Sequence, residues 1–397
     1  MAGPQGNSTD PMSEEAHKAL LPAGLRDLLP PKAQQDAELR ERLLARLAAA
    51  GYELVRPPLV EFEDSLLSGS GAAMAGHSFR LMDPVSQRMM AVRADMTLQV
   101  ARIATTRLAD AARPLRLSYA GDVLRVKGSQ LRPERQFTQV GAELIGSDAA
   151  EADAEAVLLA AEALEAVGAA GLSVDLNSPT LVEELCRELA VEPRAARRLR
   201  AALDRKNRAE VEAVGSKAAA LCGALLDAVG TAETGLKKLA AVKLPPSAAA
   251  EAKRLAEVAR LVREAAPALM LTIDPVEYRG FEYQTGVSFT LFARDVRGEL
   301  GRGGRYRAGN GTAGKNGGEP ATGFTLFLDS ISRAVPEPAP QRRLFLPHGV
   351  PAADAQRLRA EGWIALAGLA PVADARKEAR RLGCTHLYVK GKIEEIG

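Results

Sequence analysis

Leu39, Leu43, Leu44 and Leu47 recur at helical spacing, and Gly51 is a natural stop just beyond them. Tyr52-Glu53-Leu54-Val55-Arg56 then reads as a strand cut short by Pro57-Pro58, since proline belongs at sheet edges or bends. Residues 79–92 alternate into a hairpin, and 93–110 return to helical periodicity. Two further strands are expected over 115–126 and 135–146, joined by a polar, basic loop from Lys127 to Glu134. An Ala/Leu-rich amphipathic helix follows over 151–168. After Asn177-Ser178-Pro179, residues 180–265 are almost wholly helical, with breaks at Pro193, Gly215, Gly223 and Pro245-Pro246. Strand character resumes at 277–293 and 299–306. A loose stretch of five glycines, Gly309 to Gly318, precedes a helix expected from about 323 to 334. Pro336, Pro338 and Pro340 form a linker. Strand and helix alternate beyond it, from Leu344-Phe345-Leu346 to the strand His386–Val389, in the pattern of a small βαβαβ module.

Composition removes several classes of function. The 397 residues are enough for two or three domains with a substantial core. The 52 Lys and Arg nearly cancel the 50 Asp and Glu, so no overall field recruits nucleic acid. Aromatics at 4% are too few for a base-stacking platform. No apolar run reaches the roughly 18 residues of a membrane span. The polar, Gly/Pro-containing start lacks an apolar centre, so residues 1–18 are expected to be a flexible tail rather than a secretory signal. Cys186, Cys222 and Cys384 are odd in number and far apart, which fits a reducing cytoplasm. His17, His77, His348 and His386 share no ligand spacing with them, so neither a metal nor a cofactor is expected.

The chemistry-bearing residues cluster by strand parity. Side chains two apart on a strand share a face, so Phe137, Gln139, Gly141 and Glu143 lie together. Gly141 leaves room for a ligand between an amide and a carboxylate. Arg125 shares parity with Tyr119, Gly121 and Val123 on the neighbouring strand, and its planar fork suits a carboxylate or phosphate. Asp95 and Glu143 can accept from an ammonium group or an imidazole N–H. Two plainer readings stand beside this one: a cross-strand Arg125–Glu143 ion pair, and an Asp95/Thr97 helix cap.

Four segments, in this order, resemble the class II aminoacyl-tRNA synthetases and the histidyl enzymes in particular. They are Leu54-Val55-Arg56-Pro57-Pro58, the strand pair Arg116–Arg125 and Arg135–Gly146, the run Arg279-Gly280-Phe281-Glu282-Tyr283, and Gly303-Gly304-Arg305-Tyr306, which matches a glycine-rich turn. The resemblance implies an α+β fold: a class II synthetase-like antiparallel sheet flanked by helices over 19–335, with a helical insertion at about 180–265 and a small C-terminal α/β module over 336–397. It also implies that Asp95, Thr97, Arg125, Gln139, Glu143, Arg279 and Tyr283 hold histidine.

The pattern breaks at its nucleotide end. Lys127 stands where a glutamate would accept from the adenine amino group, and it has donors only. Phe327 replaces a glycine that makes room for nucleotide, and Asp329-Ser330 replaces Glu-Arg, so no phosphate-gripping arginine is expected there. Gln284 replaces a second tyrosine, and Arg307 an acid. Retained pocket and lost nucleotide end together are similar to the regulatory-subunit family of ATP phosphoribosyltransferase. Membership would imply a catalytically inactive, histidine-sensing scaffold in the cytoplasm. It would self-associate as a dimer and join the short-form catalytic subunit in a hetero-octamer for the first step of histidine biosynthesis. A divergent amino-acid activating enzyme is the alternative. An RNA-binding regulator is disfavoured by charge and aromatic content, and tRNA is not an expected partner.

Overall fold

The computed structural model describes residues 21–67, 74–128, 132–278, 284–309, 318–337 and 341–396. The chain divides into two compact units at Pro336/Glu337. In the first unit, helix α1 (Lys32–Ala49) leads to β1 (Glu53–Leu54), β2 (Val60–Phe62), the short α2 (Glu63–Leu66), β3 (Arg80–Met82) and β4 (Met89–Val92). Then come α3 (Thr97–Thr106), β5 (Leu115–Leu124), β6 (Gln136–Ile145), α4 (Ala150–Ala166) and β7 (Leu172–Asn177). The helical stretch comprises α5 (Leu181–Glu188), α6 (Pro193–Asp204), α7 (Arg208–Glu212), α8 (Lys217–Asp227), β8 (Gly230–Thr231), α9 (Ala232–Ala241) and α10 (Pro246–Ala265). The unit closes with β9 (Met270–Asp274), β10 (Gln284–Ala293), β11 (Gly301–Ala308), β12 (Glu319–Phe327) and α11 (Leu328–Ala334).

These strands build a nine-stranded sheet in the order β1-β5-β6-β12-β11-β10-β7-β9-β8. Pairing is antiparallel except at β1/β5 and β7/β9. Both faces are covered, and parity sorts side chains between them. On one face Val140, Ala142, Phe324 and Leu326 join Leu39, Leu43 and Leu47 of α1 and the apolar side of α4. On the other, Tyr119, Val123, Phe137, Tyr306 and Phe327 pack with Met96 and Val100 around α3. The helices between β7 and β9 contribute Leu181, Leu199, Leu225 and Val262 to the first of these clusters, so they share the sheet's own core. β2, β4 and β3 form a separate three-stranded sheet.

The second unit contains β13 (Arg343–Leu346), α12 (Ala352–Ala360), β14 (Ile364–Ala367), α13 (Ala375–Arg381), β15 (His386–Val389) and β16 (Lys392–Glu395). β14, β13 and β15 are parallel, as the βαβαβ pattern predicts, and β16 adds an antiparallel edge that alternation did not single out.

Three local expectations are corrected. The helix expected from about 323 begins only at Leu328, because 319–327 is β12. β12 is hydrogen-bonded between β6 and β11, so its residues are buried on both faces and carry no period-two signal. Gly303-Gly304-Arg305-Tyr306 is not a turn but the middle of β11, where the glycines admit neighbouring groups: a Cβ on Gly303 would strike the Phe289 ring. Strands β7 and β9 flank the helical stretch and were not foreseen. The signature 279–283 and most of the glycine-rich stretch, 310–317, lie outside the described residues.

Candidate functional site

A row of missing side chains opens the site. In register across the sheet lie Glu143 on β6, Gly323 on β12 and Gly304 on β11. One step along lie Tyr119, Gly141, Thr325 and Arg302. Gly303, Gly304 and Gly323 line a cavity of about 220 Å³ beside Glu143, whereas the space at Gly141, expected to receive a ligand, is filled by the Tyr119 ring and the Phe324 carbonyl. The cavity volume is below the ~300–1,000 Å³ of sites for drug-sized ligands and suits a single amino acid. Its lining includes Asp95, Thr97, Arg125, Glu143, His77, Gln284, Arg302 and Tyr306.

Glu143 is fully buried, and burial pushes its carboxyl up to about 8, although neighbouring hydroxyls favour the ionised form. Tyr306 donates to it at 3.0 Å and Tyr119 at 3.2 Å. Tyr119 also meets Thr97 at 3.2 Å and Thr325 at 2.7 Å, so one buried ring ties three walls together. Asp95 accepts from the Thr97 amide at 3.0 Å, as the cap reading anticipated, and from Gln139 at 2.9 Å. Gln139 is completely buried. Its other amide end accepts from the Met96 N–H at 3.0 Å, so it stands behind the wall and holds Asp95 in place.

Arg125 guards the far end. Glu143 pairs in register with Leu117, eight positions from Arg125, or about 26 Å of strand at ~3.3 Å per residue. That is the run of the backbone alone; both side chains reach the lining of one cavity. The Arg125 guanidinium donates to the Ala94 carbonyl at 3.2 Å and lies 5.1 Å from the Phe137 ring. Asp95, Thr97, Arg125 and Glu143 therefore converge, while Arg279 and Tyr283 lie outside the described residues.

Residue patterns missed several members. Tyr119 was noted only for its parity, and the signal was its place opposite Gly141. His77 and Arg302 had no motif to mark them. Arg302 and Arg132 stand near Phe327, while Asp329-Ser330 itself carries no arginine, as read from the sequence. Arg132 is buried, lies 3.6 Å from the Phe327 ring and 4.9 Å from Phe137, and faces Asp329 at 3.6 Å. Arg302 lies 5.6 Å from Phe327 and 3.3 Å from Glu299. Each of these arginines already has a carboxylate partner. Phe327 itself is 1% exposed and packs edge-on against Phe137 with ring centroids 5.9 Å apart. Lys127 is exposed and is not among the described residues that line the cavity.

Among the described residues no cluster of His, Cys, Asp and Glu could hold a metal ion, and no helix is long and apolar enough to cross a membrane.

The family model for histidyl-tRNA synthetase matches residues 24–331. An ATP phosphoribosyltransferase regulatory subunit from Rhodospirillum centenum is 58% identical over 387 residues, 98% of each chain. A protein of the same description from Paramagnetospirillum magneticum is 56% identical over 97% of this chain and 100% of its own length. Among solved structures, an ATP phosphoribosyltransferase regulatory subunit/histidyl-tRNA synthetase from Bacillus halodurans superposes with a TM-score of 0.78 at 23% identity, over 91% of this chain and 96% of its own. That level of identity speaks for the fold.

Proposed function

The chain belongs to the histidyl-tRNA synthetase-like family of ATP phosphoribosyltransferase regulatory subunits, and from that premise we propose that its pocket is a histidine sensor without catalytic power of its own. In this reading it serves the short-form catalytic subunit, in a hetero-octamer built on dimers of this chain. Together they condense ATP with phosphoribosyl pyrophosphate, the first step of histidine biosynthesis, and histidine feeds back through this chain.

One observation carries the proposal: the cavity keeps its polar walls while its nucleotide end is packed shut. Glu143, Asp95 and Arg125 offer two acids and a cation, which match the ammonium, imidazole and carboxylate of one amino acid. Phe327 fills the space beyond, and the Arg132 charge is answered by Asp329. A triphosphate would have to displace that carboxylate and an aromatic ring. Electrostatic stabilisation of transferring phosphates is the main resource of such sites, and its loss costs many powers of ten in rate. For histidine to regulate, it must bind two states of the assembly with different affinities.

The test is phosphoribosyl-ATP formation by the short catalytic subunit, with and without this chain, across a histidine titration. Stimulation by the chain, reversed by histidine and insensitive to histidine in Arg125→Ala and Glu143→Ala, supports the reading. No effect in any mixture refutes it. The presence of Arg132 and Arg302 at the nucleotide end favours a second reading, a divergent amino-acid activating enzyme. Histidine-dependent pyrophosphate exchange by the chain alone would decide for it.

A further inference from the structure

Behind the pocket, the helical stretch between β7 and β9 packs on the sheet's core and also reaches the site strand through one buried carboxylate, Asp153. On β11, Tyr306 and Arg305 face opposite ways, as adjacent strand residues do. Tyr306 donates to Glu143 inside the cavity. Arg305, 5% exposed, is enclosed by the start of α4. It donates to the carbonyls of Ser147 and Ala149 at 2.9 and 3.0 Å, and to Asp153 Oδ2 at 3.1 Å. Asp153, 2% exposed, is shared. Arg254, on α10, donates to the same Oδ2 through Nε and Nη2 at 3.1 and 3.0 Å, and to the Asp148 carbonyl at 2.7 Å.

A second handle grips the segment leading into the signature. Lys206, just after α6, places its ammonium 2.6 Å from Asp274 and 3.4 Å from Glu277. Arg200 on α6 lies 4.0 Å from the ring of Tyr278, the residue before Arg279.

We propose that pocket occupancy is coupled to the helical stretch through the Asp153 node. Arg254 is then a positioning residue, acting through Asp153 and Arg305 on the placement of Tyr306 against Glu143. The inference rests on the histidine reading of the pocket. Arg305 also donates to the exposed Asp148 carboxylate at 3.0 Å, so loss of Arg254 leaves Asp153 and Arg305 paired with each other but free to shift about the buried contact that Arg254 had fixed. Coupling of this kind is reciprocal: whatever histidine does to α10, a partner pressing on the helical stretch does to histidine affinity by the same factor.

The test uses the full chain, with histidine binding by calorimetry and amide hydrogen exchange with and without histidine. Arg254→Met is expected to weaken histidine binding about tenfold, and Arg254→Lys to recover part of the loss. Arg260→Ala on the same helix is expected to change nothing, because Arg260 bridges only the exposed Glu257 and Glu264. Histidine slows exchange in both β6 and α10 of the unsubstituted chain, and in Arg254→Met only in β6. A merely structural role for Arg254 would not separate the two elements. Should Arg254→Met fail to fold, Arg254→Lys is combined with Tyr306→Phe, and additive losses in that pair overturn the coupling. Unchanged affinity in Arg254→Met, or equal damage from Arg260→Ala, also overturns it. No histidine binding by the unsubstituted chain overturns the pocket reading and this inference with it.

Discussion

Replacing Glu143 by Gln should make the empty protein more stable at alkaline pH, although Glu143 lies at the centre of the candidate site. Burial raises the folded carboxyl from 4.5 to about 8, so between those values the unfolded chain is ionised and the folded chain is not. The unfolded state then holds fewer protons, and stability falls as pH rises through this window. Below 4.5 the group contributes nothing, and above 8 the penalty is complete. At about 1.4 kcal/mol per tenfold, the interval amounts to at most on the order of 5 kcal/mol. Glutamine keeps an acceptor oxygen for one of the Tyr119 and Tyr306 hydroxyls and presents an N–H to the other, which can accept it, much as the protonated acid presents an O–H, and it carries no ionisation penalty. Urea unfolding of both proteins from pH 5 to pH 8.5 isolates the effect, because every other group titrates alike. The two stabilities should agree within about 1 kcal/mol at pH 5 and diverge by several in favour of Gln by pH 8. A difference that stays constant across the range, or a Gln variant that is weaker at pH 8, would refute the claim that Glu143 is a buried neutral acid in the empty pocket. The same variant should bind histidine more weakly, since the carboxylate that pairs with a cation is gone.

Three other substitutions separate site from scaffold. Gly323→Ala places a methyl group against Glu143 Oε2 and the Ala142 carbonyl, so histidine binding should fall at least tenfold by calorimetry, with a stability loss of about 1–3 kcal/mol in urea. Phe327→Gly should cost about 3–5 kcal/mol, the range for emptying an aromatic core site, and should still yield no histidine-dependent pyrophosphate exchange, because Asp329 and Ser330 remain. Arg113→Met removes donors to Glu319 at 2.6 and 2.9 Å and to the Leu108 and Ala111 carbonyls, so the urea midpoint should drop by the equivalent of about 2 kcal/mol. Histidine affinity should not change in that variant.

Legibility in the sequence followed physical cause. Local pattern announced some elements: Leu39, Leu43 and Leu47 mark α1, and β5 and β6 fall close to their expected spans although β6 is buried along nearly all its length. β12, buried on both faces, lacks alternation, and its Thr, Gly and Phe also suit a helix end. β7 does alternate, with Leu172, Val174 and Leu176 buried and Ser173 and Asp175 partly exposed between them, and it was missed in spite of that signal. Parity on β6 grouped Gln139 with Glu143 but could not tell a ligand contact from a brace, because that depends on what Asp95 and Met96 do across the gap. Contacts between residues far apart in sequence, such as Arg132 against Phe327, or Arg254 against Asp153, leave no local spacing to read.

In the proposed reading, the closed nucleotide end and the open amino-acid end have a common energetic logic. Synthetase-like chemistry needs a cavity lined by unneutralised cations, held open against packing until triphosphate arrives. Here Phe327 and Phe137 supply an apolar floor, and Arg132 lies over both rings with Asp329 at its guanidinium. Aromatic burial and cation–π contact make that end part of the core, worth kilocalories that an open site forgoes. What stays open is a small cavity whose principal acid is neutral when empty and can ionise against a cationic guest. Any ligand that binds only the folded pocket stabilises it by RT ln(1 + [L]/Kd), and the proposed sensing of histidine would draw on that linkage.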